Sequence, residues 1–530
     1  MPNCSWIGSD LLSPPPVYCY FCRGVSAGLS VVVVPSLPPS PRPAAMFPTE
    51  TKRTAYQAGL DLNNNNDDDL PPFKTLAGSR REDELFEFIR EMSSVDRNST
   101  NEKLRKITGL FNTDGIFPLE LFPHTFEDMA CFLPYLEIVD ISASGLETLP
   151  DEICLLDQQL TELCLDNNML SVLPTTIGKL TYLEKLSVAN NQLSGLPKEI
   201  GALLLLNKLD VSNNCLNDLP EEIGALESVR KIRLNCNKLS SLPISFDNFQ
   251  NIRSLNLASN RLDAFPEQLL GLPSLQSLVL EENPVGSIPP GISQLTDLIY
   301  LRMTRTALVS LPEEIGTLKR LETFHADYNN IVALPESIGM LASLLCLNLE
   351  HNRLRELPAS IGRLSALSVL SVKVNLLTAL PPGFSDLSNL ESLTLSYNFL
   401  GDLPPEVSLT SQISLLHGLQ ELLLTHNRLT SPPPGIETLP MLRALELQGN
   451  PDLSPGSISD QFAVRRFPSV LVLDEDLKGK LSPALSNFNS IIYAPRNLYH
   501  PDRWEEEEVE EEAEEEEEES EEEEAEEEFA

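Results

Sequence analysis

Residues Leu219–Leu239 read LPEEIGALESVRKIRLNCNKL, and Leu334–Leu354 read LPESIGMLASLLCLNLEHNRL. Laid over each other, they share the pattern LxxLxLxxNxLxxLPxxIGxL, which the chain repeats from Leu136 onward. With the Asn as marker, fourteen copies run from Ser144 to Asn450, and only Ser144 and Thr306 depart from Asn. Eleven of the thirteen spacings are 23 residues; the first is 24, and Asn398 to Asn427 is 29. A strict period of this length marks a solenoid, in which each repeat buries its apolar face only against its neighbours.

The chemistry of the unit sets the expected geometry. The LxL core is a short strand whose Leu side chains point inward while their neighbours point out, and it stacks in parallel on the next repeat. The Asn turns the chain inward, where its amide can satisfy backbone groups that the turn leaves unpaired. Leu-Pro then leads the chain round the outer side. The Pro removes a donor and discourages regular helix, so extended or 3₁₀ backbone is expected there, with the Ile of PxxIG closing the core. Fourteen strands at about 4.8 Å make a concave sheet roughly 60 Å long. The fold class is therefore an α/β solenoid with a parallel concave β-sheet of about 14 repeats.

The repeat is identified as a member of the leucine-rich repeat family, over Leu136 to about Asp474, which implies a horseshoe. The two quoted segments resemble the intracellular 23-residue subclass that includes the Ras–Raf scaffold proteins, and the plant Ras-group-related leucine-rich repeat proteins are similar. The segment QFAVRRFPSVLVLD, Gln461–Asp474, resembles the C-terminal cap of phosphatase-regulating and mRNA-export leucine-rich repeat proteins. The resemblance implies a scaffold or adaptor that binds a partner protein on its concave face, in small-GTPase or phosphatase signalling, cytoplasmic and also nuclear.

Outward-facing positions map where a partner would sit. Repeats 3 to 5 offer Lys185, Lys208, Arg230, Lys231 and Arg233, with the three lysines at one position in successive strands. Like charges about 4.8 Å apart are mildly destabilising unless an anion answers them, the alternative being a solvated row. Repeats 7 to 10 offer Glu281, Glu282, Tyr300, Arg302, Arg305, Glu322, His325, Asp327, Tyr328, Glu350 and His351. Here the consensus weakens: Thr306 replaces Asn, and Phe324 and Ala326 replace Leu. Sites are where sequences break their own local rules, and Tyr and Arg dominate interface energetics. A protein-binding patch is therefore expected around Tyr300, Arg302, Arg305, His325, Asp327 and Tyr328, extending to Glu350 and His351. His325, Asp327 and His351 are read as ordinary polar residues of an open face; no metal or cofactor is expected.

The formal charge is −40, yet Trp504–Ala530 holds 20 Glu and no Lys or Arg, so half the imbalance sits in that tail. Such a balance argues against a nucleic-acid binder, which neutralises phosphate with Lys and Arg. No run of 18 apolar residues is present, so no membrane span is expected. Glu505–Glu528 repels itself and is expected to be disordered. It can act as a solubilising tail, as a binder of basic proteins such as histones, or as a segment folding back on the Lys185–Arg233 row. The second reading, a nuclear chaperone-like protein, resembles the acidic nuclear phosphoproteins, although the 23-residue proline-bearing repeats depart from them. Ser520, before Glu521–Glu524, suits an acid-preferring kinase.

The ends are expected to be disordered. Residues 1–78 are rich in Pro and Asn, with ten Pro in the first fifty residues, and read either as a tail or, in part, as sequence upstream of a start at Met46. Ser79-Arg-Arg-Glu82 reads as a capping box, and 79–135 as a helical cap over the first repeat, followed by repeats over 136–460, a cap and extension over 461–503 and the tail over 504–530. Nine scattered Cys do not bracket the repeats as disulfides would, so reduced thiols are expected. The phosphate-loop, nucleophile-elbow, zinc-protease and kinase signatures are all missing, and about 55 residues follow the cap, which is small for a catalytic domain. An enzyme is not expected.

Overall fold

A computed structural model describes residues 106–108, 138–156, 160–401, 413–465, 468–486 and 490–495. All belong to one compact unit, Thr49–Ala530, while a second unit, Met1–Pro48, lies outside them. The expectations for residues 1–78, for the capping box and for the Glu-rich tail also lie outside the described residues.

The described residues form a single 17-stranded sheet. Each strand of the array is three residues long and pairs in parallel with the next, so that Leu186 lies beside Leu209 and Leu209 beside Ile232. A shift of one residue would turn every Leu outward, so the alternation itself fixes this register. Leu186 is 1 % exposed and Leu209 and Ile232 are fully covered. One apolar core continues from Val139 to Leu485.

The outer side follows from the proline. In a typical repeat Pro243 sits in extended backbone and the chain then makes a 3₁₀ turn over Ile244–Asn248, with Phe246 N–H donating to Pro243 O at 3.1 Å. Extended and 3₁₀ backbone thus follow each other within one repeat. The turns stack so closely that the Gly of PxxIG has no room for a side chain. A Cβ on Gly339 would stand 2.2 Å from the backbone oxygen of Ser360 in the next repeat.

The marker Asn holds adjacent repeats together. Asn260 Nδ2 donates to Leu234 O at 3.0 Å and to Leu257 O at 2.9 Å, while its Oδ1 accepts the Leu239 N–H at 3.0 Å. Asn260 is only 8 % exposed, so without it the Leu239 N–H would be buried unpaired, whereas Leu234 O and Leu257 O also accept from Asn237 and Asn283 Nδ2 at 2.9 Å each.

Both ends of the sheet carry strands that the repeat pattern does not contain. Lys106–Thr108, inside the segment expected to form a helical cap, is a strand paired with Ile138–Asp140. Beyond the repeats, helix Gln461–Arg465 is followed by strand Val470–Asp474. The sheet does not stop at Asp474, because Ile491–Ala494 adds one more parallel strand. Pairing the edge of a sheet with a further strand satisfies backbone groups that would otherwise be left open.

Candidate functional site

The residue before each marker Asn has left-handed backbone, with φ between 49° and 59° from Ala143 to His426. Asn tolerates this conformation best after Gly, because its short amide bonds locally. Asn167, Asn190 and Asn213 occupy the position in the early repeats. From Glu282 on, larger residues hold it: Arg305, Tyr328, His351, Val374, Tyr397 and His426. Strained backbone filled with bulky side chains is a departure from local preference of the kind that concentrates at binding surfaces.

The side chains of this row stack across the strands. Tyr328 and His351 lie face to face, ring centres 4.1 Å apart and planes 10° apart, and the Arg305 guanidinium sits 5.0 Å over the Tyr328 ring. Tyr397 and His426 repeat the arrangement at 4.3 Å and 13°, with Lys373 Nζ 5.7 Å over Tyr397. The ring of His426 is accommodated because its neighbour in the next repeat is Gly449, where a Cβ would stand 2.6 Å from Nδ1.

Most of the residues expected in the patch are thereby brought together. Tyr300 and Arg302 lie on strand Tyr300–Arg302, and His325 is opposite Arg302 on strand Thr323–His325. The Tyr300 and His325 rings are 5.9 Å apart. Arg302 forms an ion pair with Glu281 at 2.5 Å. Asp327 accepts the Thr304 hydroxyl at 2.9 Å, and Glu350 accepts that of Ser371 at 2.6 Å. Arg305 and Tyr328 are exposed and the other six half-buried.

Crowding on the concave face shifts the titrating groups. Burial, with Lys373 and Arg305 adding, pushes His351 down to about 4. Burial also lowers His325, with Asp327 opposing and Arg302 adding. Burial raises Glu281 despite Arg302, and raises Glu350 despite the Ser371 hydrogen bond and Lys373. The patch therefore offers two neutral imidazoles beside fixed guanidinium charge. His325 and His351 contact different tyrosines, and among the described residues no group of three His, Cys, Asp or Glu is gathered as a metal ion would need.

The Asn-to-Thr break has a local consequence. Thr306 Oγ1 donates to Met303 O at 2.8 Å, but it offers no amide oxygen to the preceding repeat. Val285 N–H, which corresponds to the Leu262 N–H that Asn283 accepts, turns instead to Asn283 O at 2.7 Å. Gly286 takes φ 73° to allow it, and Ala307 adds a left-handed residue after the marker. The altered turn stands one repeat before Tyr300.

The basic row is in register, Lys185 beside Lys208 and Lys208 beside Lys231. Carboxylates of the protein answer its ends: Lys185 pairs with Glu162 at 2.6 Å and Arg233 with Asp210 at 3.0 Å. The anions that answer Lys185 and Arg233 are thus the protein's own carboxylates. Burial, then Arg233, lowers Lys208 and Lys231.

Lys373, Tyr397 and His426 were missed by reading outward positions near the consensus breaks. The signal that finds them is the column before the marker, where Asn gives way to rings.

Residues 292–459 match the family described as leucine-rich repeat region and 227–285 the family described as leucine rich repeat. A leucine-rich repeat protein of Leptospira interrogans is 35% identical, with 60% of this chain and 91% of that chain covered and a TM-score of 0.53. The plant peptide hormone receptor RGFR1 in complex with RGF2 is 25% identical, covering 68% of this chain and 66% of that chain at a TM-score of 0.54. The Toll–Spatzle complex of Drosophila, 24% identical over 62% of this chain and 45% of that chain with a TM-score of 0.53, shares the fold. No curated protein matches.

Proposed function

This chain belongs to the leucine-rich repeat proteins, and from that premise we propose that it is a non-enzymatic scaffold or adaptor whose concave face binds a partner protein. The observation that carries the reading is the Arg305–Tyr328–His351 stack, three strained positions in adjacent repeats that together present rings and a guanidinium. Arg and Tyr held rigidly lose little entropy on binding, which is what makes such residues interface anchors. A relative supports the partner class, since the plant receptor RGFR1 is a peptide hormone receptor in complex with RGF2. The 23-residue consensus directs the search to small-GTPase and phosphatase complexes of the cytoplasm and nucleus.

The test is affinity purification with mass spectrometry on the wild type and on an Arg302→Glu/Arg305→Glu variant. A specific partner should be recovered with the wild type and lost, or reduced more than about tenfold, with the variant. An unchanged partner list from a variant with unchanged thermal unfolding would refute the reading.

A further inference from the structure

The first third of the sheet has an electrostatic character opposite to that of the chain. On the four strands from Lys185–Ser187 to Ser254–Asn256 and the residues just before them, six cations face outward: Lys185, Lys208, Arg230, Lys231, Arg233 and Arg253. They are met by Glu184 and Asp210 within the same strands and by Glu162 on the strand before, which pairs with Lys185. The rim beside the Lys185 and Lys208 strands is apolar. Tyr182, Leu204 and Leu205 precede these strands and are 53%, 49% and 47% exposed. The corresponding pairs before Lys231–Arg233 and Ser254–Asn256, Glu227-Ser228 and Gln250-Asn251, are polar, as are Lys319-Arg320 and Ser388-Asn389, while Pro440-Met441 is apolar. A basic row flanked by exposed apolar side chains fits an acidic segment that also carries apolar residues.

We propose that this surface is the docking site of the chain's own segment Glu505–Glu528. That segment lies in a stretch, Trp504–Ala530, with 20 Glu and no Lys or Arg, interspersed with Val509 and bounded by Trp504 and Phe529. Charge complementarity is thus joined by apolar residues in the tail that suit the Tyr182, Leu204 and Leu205 rim. The reach is sufficient. The last strand, Ile491–Ala494, is the seventeenth and Lys231–Arg233 the sixth, so they are about 53 Å apart along the sheet at about 4.8 Å per strand. Extended chain from Ala494 to Glu516, in the middle of the Glu run, spans about 73 Å. A tether of this length holds the segment at an effective concentration near the millimolar range, so contacts too weak to survive between separate molecules are occupied within one. Burial and the neighbouring guanidinium hold Lys208 and Lys231 below their ordinary range, and a bound carboxylate would relieve that cost. Docked in this way, the acidic segment covers the basic end of the concave face and competes with any acidic partner for it.

The surface is separate from the Tyr300–His351 patch, so this inference and the proposed partner binding succeed or fail independently. The experiment is zero-length carbodiimide cross-linking of the full chain, which joins Lys amines to Glu carboxylates in contact, followed by peptide mass spectrometry. Cross-links from Glu505–Glu528 should concentrate on Lys185, Lys208 and Lys231, fall at least about tenfold between about 50 mM and about 500 mM salt, and fall several-fold in an Arg230→Glu/Arg253→Glu chain that retains all three lysines. A mixture of heavy- and light-isotope chains should give links within one isotope. Links spread evenly over Lys198, Lys238, Lys319 and Lys373 would overturn the proposal, as would no links from the segment. Mixed-isotope links would place a second copy's tail on the surface and overturn the assignment to the chain's own.

Discussion

The rings of Tyr328 and His351 lie parallel, 4.1 Å apart, although each is held by left-handed backbone at the end of its own strand. Two strained residues in adjacent repeats are thereby packed against each other, with Arg305 closing the far face of the tyrosine. Parallel strands in exact repeat make this possible, because the same position returns above itself one strand later.

The stack should be measurable as a coupling. In a double-mutant cycle of Tyr328→Ala and His351→Ala, urea unfolding is expected to give an interaction energy of about 0.5–1.5 kcal/mol. A value near zero would mean that the rings touch without stabilising each other.

Acid should weaken the fold through His351. Its folded value of about 4 lies below the ordinary 6.5, so between those values the unfolded chain binds a proton that the folded chain does not. Stability from this site is full above about pH 6.5 and is lost as pH falls toward about 4. Glu281 and Glu350, raised by burial, act in the opposite sense, and their contribution is lost as pH rises through their folded values. Comparing the wild type with His351→Gln cancels those groups. The wild type should lose more stability than the variant between about pH 7.5 and about pH 4.5, read from urea midpoints.

Two glycines should respond differently to Ala. Gly339→Ala sets a Cβ against the Ser360 backbone oxygen, which no rotamer change relieves, and should cost about 3 kcal/mol. Gly286 has φ 73° and open space around it, so its Ala variant should cost about 1–2 kcal/mol from backbone strain alone. Thermal unfolding orders the two, and the reverse order would contradict the stacking of the outer turns.

Removing an inter-repeat amide should cost more than removing an ordinary surface hydrogen bond. Asn260→Ala strands the Leu239 N–H, while Leu234 O and Leu257 O keep the Asn237 and Asn283 amides, and should destabilise the chain by about 1–3 kcal/mol. Hydrogen exchange should show the loss centred on the strands beside Asn260 and fading along the array, as expected where each repeat contacts only its neighbours.

Much of the concave face was legible from the repeat alone. Once the period of 23 is seen, the alternation about Leu255 and Leu257 says which residues are core and which face a partner. It therefore placed Lys185, Lys208 and Lys231 in one row and Tyr300, Arg302 and His325 on neighbouring strands. Strand Lys106–Thr108 and strand Ile491–Ala494 were not legible, because they lie outside the period and are recruited by the edges that the array leaves. The answering of Lys185 by Glu162 was also hidden, since an ion pair depends on how two long side chains turn.

The sequence by itself determined the solenoid, its register and its inward Asn row, because a pattern repeated fourteen times leaves the apolar residues one way to be buried together. What only the tertiary structure decided was the use of the position before the Asn. Whether that residue is a turn former or a stacked ring depends on its left-handed φ and on what stands above it one strand away. Arg305, Tyr328 and His351 acquire their joint geometry from the stacking of strands, which a single repeat read along the chain does not contain.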